Sequence, residues 1–380
     1  NVTATTLELI GKCSDASKAE AECVGTCSET YKTQSGYSAD AVTTHATPSS
    51  DGLAEYNCSN PATSGTFTLS TSCTLSAEVV LAGELTIIGQ TEDMDNLVTI
   101  TAATGKRHFK LNGATHKLNL WYVKLTGADV SGQPTWPDMQ GGAIMIQDDG
   151  ELNLYYSEIL GNKAIVGGAI RAYKTSGTGI ILNIYNSIIK ENEATDDGGG
   201  LYLQGVVVRI EGTTIDNNTA ADLGGGMLLW TDSDVTITNT LVSNNEATGK
   251  GGGLYTQQQS VSFRESTFTN NNAGDEGNDI YLQSTQITLS LINTGVPANG
   301  IYVNVGMTPT WKTCSDSPCT EAPHTGACSA VNSSDVKQGV VCKGTELHTE
   351  ATCDPLVWTP RTWITSALQV GTTALESVSD

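Results

Sequence analysis

A small group of charged residues near the middle of the chain could carry out acid–base chemistry. Arg171, Lys174 and Arg209 are basic, and Asp197 lies between them in the sequence. A polysaccharide lyase uses an Arg or Lys base, whereas a glycoside hydrolase uses two carboxyl groups across a cleft. These four residues are therefore the catalytic candidates if the chain is an enzyme. Asp196 and Asp222 are expected nearby, and all three aspartates also fit ordinary solvated turns, because they come just before the glycine pairs.

The elements that would position these residues belong to an internal repeat. Six segments open with glycine and read GGAI, GGAI, GGGL, GGGM, GGGL and GNDI, with spacings of 26, 31, 26, 27 and 26 residues. Each unit contains three short runs of alternating apolar residues, which is typical of strands with one buried face. The openings are Gly141, Gly167, Gly198, Gly224, Gly251 and Gly277.

A unit of this length cannot bury its own apolar face, so successive units must stack. The sequence therefore predicts an all-β fold, a right-handed parallel β-helix of about eight to ten coils of ~26 residues each. The predicted solenoid spans residues 66–306. Residues 1–65 and 307–380 hold most of the cysteines and no repeat. We expect these two segments to cap the open strand edges at the two ends of the solenoid.

Two sets of repeated positions have predicted roles in the stack. An apolar-x-x-Asn motif closes each unit, and its amides are expected to form a ladder along the coils. The predicted ladder consists of Asn162, Asn192, Asn218, Asn244 and Asn271. On the strand after each glycine pair, a row of outward residues is mainly apolar and is the predicted protein interface, unless a terminal segment covers it. This row comprises Met145, Tyr202, Leu228, Tyr255 and Tyr281.

The ten cysteines occur only near the two ends of the chain, with 240 positions between Cys73 and Cys314 that hold none. Such clusters without nearby histidines predict disulfides in an oxidising compartment. Each cluster has five members, so at least one cysteine per cluster pairs elsewhere or stays free. An open filament of disulfide-linked subunits, a bond between the two clusters and a free thiol all remain open. The cysteines are Cys13, Cys23, Cys27, Cys58, Cys73, Cys314, Cys319, Cys328, Cys342 and Cys353.

The net charge and the glycosylation sequons predict the partners and the compartment of the chain. The formal net charge is −22, which argues against nucleic acid and anionic membranes as partners. No apolar run is long enough for a transmembrane helix. The chain begins without a Met or a leader, which we take as a mature product or a fragment. Four sequons predict glycosylation and a secreted, extracellular protein, at Asn1, Asn57, Asn217 and Asn332.

The repeat resembles that of a known family of surface proteins. The GGAI openings and the closing motif Phe268-Thr-Asn-Asn271 are similar to the GGA(I/L/V) and FxxN repeats of the polymorphic outer-membrane-protein family. The similar region covers about residues 141–290. Most closing motifs carry Ile or Leu in place of Phe, and we expect no membrane barrel of that family's kind in residues 307–380. The resemblance implies surface display, adhesion and self-association.

These observations favour a non-enzymatic structural or adhesive subunit of an extracellular assembly, such as a filament or matrix. Its predicted partners are further copies of itself, other surface proteins and glycans. No cofactor is predicted, since a single copy of a calcium-type nonapeptide at 274–279 does not build a site. The alternative is a carbohydrate-active enzyme on the same scaffold, either a polysaccharide lyase or a hydrolase.

Overall fold

The structure is a computed structural model that describes residues 5–10, 45–175, 179–231, 233–257, 260–283, 288–292, 301–303, 309–312, 338–342 and 353–357. Within these ranges the chain forms a parallel β-solenoid and a separate antiparallel pair of strands, Gln338–Cys342 and Cys353–Val357. The one short helix in these ranges is the 3₁₀ turn Trp136–Met139. The predicted all-β solenoid is therefore confirmed.

The solenoid is built from three long parallel sheets and one short one. Sheet 1 contains, in spatial order, Ala54–Glu55, Gly65–Leu69, Glu84–Gly89, Lys117–Trp121, Asp149–Tyr155, Gly179–Tyr185, Val206–Glu211, Asp234–Thr238, Ser260–Arg264, Thr288–Ile292, Thr5–Ile10 and Pro309–Lys312. Sheet 2 contains Cys73–Thr74, Val98–Thr101, Val123–Thr126, Glu158–Leu160, Ile188–Lys190, Thr214–Asp216, Leu241–Ser243 and Thr267–Thr269. Sheet 3 contains Val79–Val80, Phe109–Leu111, Ile144–Gln147, Ile170–Tyr173, Leu201–Gln204, Met227–Leu229, Leu254–Thr256, Ile280–Leu282 and Ile301–Val303. Sheet 4 contains Lys163–Ala164, Glu193–Ala194, Thr219–Ala220, Glu246–Ala247 and Asn272–Ala273.

Each full coil contributes strands in the order sheet 3, sheet 1, sheet 2, and seven coils among the described residues contain all three. Alternation fixes which side chains face inward. In sheet 1, for example, Leu182 and Ile184 are fully buried, while Ile181 on the same strand is 41% exposed. The inward residues of all three sheets form one continuous apolar cluster that runs along the coils. Because each coil packs on the next, removing one inward side chain affects both neighbours.

Glycine is required at the corner before the sheet 3 strand in each of the six repeat openings. The first glycine of every repeat opening has a positive φ, between 62° at Gly141 and 76° at Gly277. At the next position the backbone of the neighbouring coil comes so close that a Cβ on Gly142 or Gly168 would overlap a carbonyl oxygen. Both reasons for the glycine pairs, the left-handed corner and the close approach, follow from how tightly the coils stack.

The buried asparagine ladder is present, with one residue corrected. Asn162, Asn192 and Asn218 occupy successive rungs, and each side-chain amide donates to the Oδ1 of the next rung. The fourth rung is Asn245, not Asn244: Asn218 Nδ2 lies 2.9 Å from Asn245 Oδ1, and Asn245 Nδ2 lies 2.9 Å from Asn271 Oδ1. The prediction counted from Leu241, which is 37% exposed, whereas Val242 is the inward residue of that strand.

A second polar ladder, which was not predicted from the sequence, runs beside the first. Buried hydroxyl groups accept hydrogen bonds from the backbone of the preceding coil, as when Ser157 N donates to Ser187 Oγ over 3.1 Å. The rungs are Ser157, Ser187, Thr213, Thr240 and Ser266. A small hydroxyl residue two positions before the inward residue in five strands of sheet 2 was the available signal.

The beginning of the solenoid is closed by residues 54–64. Tyr56 and Cys58 are buried in the core cluster, and Tyr56 donates its hydroxyl to the carbonyl of Ala62. A disulfide joins Cys58 to Cys73, which lies in the first strand of sheet 2. These residues therefore cover apolar side chains that the first coil would otherwise expose.

The insertion between two coils at 129–140 is held by one buried arginine. Arg107 is 1% exposed, and its guanidinium donates to the carbonyls of Asp138 and Gln140 and contacts Met145 Sδ. Its Nε lies 3.2 Å from a carboxylate oxygen of Glu78. Burial lowers the pKa of Arg107, and the Glu78 carboxylate partly offsets that effect. The insertion thus packs onto the outside of sheet 3.

Candidate functional site

Three aspartates from two coils come together at the turn that precedes sheet 3. Asp196 and Asp197 lie before Gly198, and Asp222 lies in the same turn of the next coil. One carboxylate oxygen from each lies within 4.8 Å of the other two. The turns align because backbone hydrogen bonds connect them, including Asp222 N to Asp196 O. In-register stacking therefore creates a carboxylate cluster from residues 26 positions apart.

The most buried member of the cluster is Asp197. Burial raises its pKa to about 7, and the charge of Asp196 and then of Asp222 adds to the increase. The backbone N–H of Leu223, 3.1 Å from Asp197 Oδ1, and the guanidinium of Arg171 act in the opposite direction. Burial also raises the pKa of Asp196. Below about pH 7 the cluster therefore holds a proton on Asp197 beside two further carboxyl groups.

Arg171 lies on the sheet 3 strand next to this cluster, between two tyrosine rings. Its guanidinium carbon is 4.5 Å from the centroid of Tyr173 and 4.2 Å from that of Tyr202, and its side chain hydrogen-bonds Tyr202. The residue is 7% exposed, and burial lowers its pKa. Two cation–π contacts and the charge of Asp197 offset part of that burial cost. Arg171 is thus held in place as a cation beside the aspartates.

The structure does not gather the four catalytic candidates at one place. Arg171 and Asp197 interact electrostatically. Lys174 follows the sheet 3 strand at the corner that leads to sheet 1, where its N–H donates to Gln204 O. Arg209 is exposed on the outer face of sheet 1, between Asn183 and Thr236 of the adjacent strands. Arg209 therefore lies on a different sheet from the carboxylate cluster.

The chemistry available at this cluster is proton transfer. A carboxylic acid with a pKa near 7 beside an ionisable carboxylate is the combination that glycoside hydrolysis uses. Asp197 was among the four catalytic candidates named from the sequence, whereas Asp196 and Asp222 were expected only as nearby acids that also fit solvated turns. Asp196 and Asp222 each lie two residues before a repeat glycine, and Asp197 lies one residue before, which is the signal that links them.

The predicted interface row is buried and does not form an open surface. Met145, Leu228 and Tyr281 are fully buried, Tyr255 is 4% exposed and Tyr202 is half-buried. Met145 is covered by Arg107 and the insertion. Further along, Tyr255, Tyr281 and Tyr302 stack with centroid separations of 5.3 and 5.1 Å and form an outer apolar cluster separate from the core. The prediction of an exposed row is therefore corrected: the side chains point away from the core but are covered.

Sheet 1 carries an aromatic and amide array on its outer face. Asn119, Asn153 and Asn183 form an external ladder, with amide-to-oxygen distances of 2.8 and 2.7 Å. Two residues further along each strand, Trp121 stacks on Tyr155 at 3.9 Å, and Tyr155 on Tyr185 at 5.4 Å. The motifs LNLW, LNLY and LNIY carry this pattern in the sequence.

The N-terminal segment lies over this array. The ring centroid of His45 is 4.9 Å from that of Tyr155 and 4.2 Å from that of Tyr185. Leu53 packs with the cluster of Ile88 and Trp121, close to where the first strand of sheet 1 begins. Burial lowers the pKa of His45. Residues 45–53 therefore run along the outer face of sheet 1 towards the beginning of the solenoid.

Ion pairs connect neighbouring coils over the outer surface. Glu158 is paired on both sides, with Lys124 Nζ at 2.6 Å and Lys190 Nζ at 3.5 Å. Three further pairs join residues of adjacent coils at 2.7 to 3.4 Å. They are Lys117 with Glu151, Lys163 with Glu193, and Lys250 with Glu276. Repeated pairs of this kind fix the register of the coils along the solenoid axis.

The structure describes only some of the predicted glycosylation sites and cysteines. Asn57 and Asn217 are exposed. Asn1 and Asn332 lie outside the described residues, as do Cys13, Cys23, Cys27, Cys314, Cys319 and Cys328. Cys342 and Cys353 are register partners in an antiparallel pair of strands. Among the described residues, no helix is long and apolar enough to cross a membrane.

Comparison with known proteins agrees with the fold. A family model described as the right handed beta helix region matches residues 138–315. The solenoid is a right-handed parallel β-helix. No curated protein and no solved structure matches the chain. The match does not extend to the polymorphic outer-membrane-protein repeats in particular, and β-helices of this kind occur both in surface proteins and in polysaccharide-active enzymes.

Proposed function

We propose that the chain is a non-enzymatic structural or adhesive subunit of an extracellular assembly. The observation that carries this proposal is the pairing of side chains from coil to coil, inside and outside the solenoid. Two buried ladders, an external asparagine ladder and four sets of ion pairs all join neighbouring coils. A rod cross-linked in this way resists local opening, which suits a load-bearing or spacing element.

Further features support an extracellular location and self-association. The Cys58–Cys73 disulfide is of the kind that persists in oxidising compartments, and two sequon asparagines are exposed. The resemblance to GGAI and FxxN repeats adds surface display and adhesion. The partners are further copies of the chain, surface proteins and glycans. The acidity of the chain argues against nucleic acid as a partner.

A second candidate function is glycoside hydrolysis at the aspartate cluster. It is favoured by the raised pKa of Asp197 beside Asp196 and Asp222, which provides a proton donor and a base within one group of side chains. Under this alternative Asp197 is the general acid. Arg171 acts as a fixed cation there and not as a base, because an arginine between two tyrosines remains protonated.

One experiment separates the two functions. The full chain, purified from an oxidising expression host, is assayed on a panel of acidic and neutral polysaccharides, with and without Ca²⁺, while its state of assembly is followed by sedimentation velocity and electron microscopy. The structural proposal expects assemblies without cleavage. Cleavage that is lost in Asp197→Asn and retained in the exposed control Asp234→Asn would overturn it in favour of the hydrolase.

A further inference from the structure

The first strand of the chain lies at the last part of the solenoid. Thr5–Ile10 runs parallel to Thr288–Ile292 with five register pairs, from Thr6 with Thr288 to Ile10 with Ile292. On its other side it pairs with Pro309–Lys312 over four residues. It therefore fills a gap in sheet 1 between two strands that come from the C-terminal half of the chain. The solenoid itself begins at the opposite end of the same sheet, at Ala54–Glu55.

The connection between this strand and the rest of the chain is much longer than the geometry requires. Residues 11–44 connect Ile10 to His45, and His45 contacts Tyr185 on the strand Gly179–Tyr185. That strand is five places from Thr5–Ile10 in sheet 1, which corresponds to about 24 Å at ~4.8 Å per strand. Thirty-four residues can extend over about 110 Å at ~3.3 Å each. The tether therefore does not restrict the strand to its own molecule.

We propose that the gap between Thr288–Ile292 and Pro309–Lys312 accepts residues 5–10 of a second copy of this chain, so that subunits join head to tail by strand exchange. This inference rests on the proposed structural function and names its means of assembly. The exchanged strand makes the same backbone pairs as within one chain, so no new surface is needed. Donor and acceptor lie in different parts of the molecule, and such a heterologous contact produces an open filament unless the rotation closes a ring.

Two leucines in the middle of the strand provide the test. The double substitution Leu7→Pro/Leu9→Pro removes two backbone N–H donors from a strand that is paired on both sides. Residues 5–10 of this variant therefore cannot pair in sheet 1, either in their own chain or in a second copy. The solenoid of this variant should remain folded, with the edge of Thr288–Ile292 free to accept a strand. A fluorescent peptide of residues 1–12 should then bind the variant with a stoichiometry of one. The wild-type chain, whose gap is filled, should bind at least tenfold less. A peptide carrying the same two prolines is the matched control.

Assembly is measured on the same proteins. Wild-type chains refolded together at high concentration should give linear oligomers in sedimentation velocity and electron microscopy. The double proline variant should remain monomeric, and excess wild-type peptide should shorten the wild-type oligomers. If the proline substitutions unfold the chain by circular dichroism, a deletion of residues 1–12 replaces them, since it leaves the same gap without placing proline in a strand.

Two results would overturn the inference. The first is a folded acceptor variant, proline or deletion, that does not bind the wild-type peptide. The second is the formation of oligomers to the same extent in the wild type and in the folded acceptor variant. In this case subunits assemble by another route, and the proposed structural function is retained. Failure of the proposed function looks different, because the chain would then stay monomeric and cleave a polysaccharide in an Asp197-dependent way.

Discussion

Replacing Asn245 with alanine tests whether the internal amide ladder stabilises the solenoid. Asn245 is fully buried, and its Oδ1 accepts from both the N–H and the side chain of Asn218. Its Nδ2 donates to the carbonyl of Ile215 and to Asn271 Oδ1, each at 2.9 Å. Alanine removes all four hydrogen bonds and leaves the Asn218 donors and the Ile215 carbonyl without their partner. The site is closed by neighbouring coils, so these groups are not easily solvated.

The expected loss follows from the number of orphaned groups. A buried polar group that loses its partner costs about 1–3 kcal/mol, and two to three such groups remain. We therefore expect Asn245→Ala to lower the free energy of unfolding by about 3–5 kcal/mol. The matched control is Asn244→Gly. Asn244 is exposed, has a φ of 52° that glycine adopts freely, and makes one side-chain bond to Asp216. Its replacement should cost less than about 1 kcal/mol.

Urea unfolding followed by circular dichroism measures both variants, with the slope checked because repeat proteins can unfold in more than one step. Hydrogen exchange of the Asn218 amide gives a local readout, which should rise in Asn245→Ala alone. Equal losses in the two variants, or a larger loss in Asn244→Gly, would refute the assignment of the rung to Asn245.

Three more predictions concern single residues. Burial lowers the pKa of His108 to about 4, below the value near 6.5 of an unfolded chain, so the unfolded state binds the extra proton between these values. Stability should therefore fall as the pH drops from about 6.5 towards 4, by up to about 3 kcal/mol, and urea unfolding of His108→Gln, which cannot titrate, should show a flatter dependence. Asp197 has the opposite sign: its raised pKa means that the folded state holds the proton between about 3.8 and about 7, so its contribution declines as the pH rises through this window. Asp197→Asn should remove that decline in urea midpoints compared between about pH 5 and 8, and an unchanged decline would contradict the assignment. A methyl group on Gly168 would overlap backbone atoms of Gly199 and Glu193, whereas nothing lies within 4 Å of a Cβ at Gly132. Gly168→Ala should lower the thermal midpoint by many degrees and Gly132→Ala by little, and similar midpoints would be inconsistent with the coil contact described above.

The repeat made the fold predictable because stacking imposes the same requirement on every coil. The glycine at the left-handed corner and the buried amide recur at nearly constant spacing, so their roles can be inferred without coordinates. The error at Asn244 shows where this reasoning ends. Leu241 and Val242 are both apolar, and only the pairing with Thr214 and Ile215 of the preceding coil determines which of them faces inward.

The candidate site was less predictable, because it depends on contacts between distant parts of the chain. Alternation correctly indicates that Met145 points away from the core, but its cover comes from Arg107, 38 residues earlier. Arg171 and Arg209 are both basic and lie on successive coils, yet they belong to different sheets. The alternating run Val208-x-Ile210 does indicate that Arg209 belongs to the second strand of its unit. For the cover of Met145 the sequence contains no local signal.

In-register stacking also limits how the length of such a chain can change. Removing residues 198–223 would delete one rung from each of the two buried ladders and leave Asn192 facing Asn245 and Ser187 facing Thr240, with every remaining coil still paired. Removing half as many residues would place inward side chains of one sheet against outward side chains of another. Genes for solenoids of this kind should therefore gain and lose length in steps of about 26 residues, while short insertions accumulate only at corners such as 129–140.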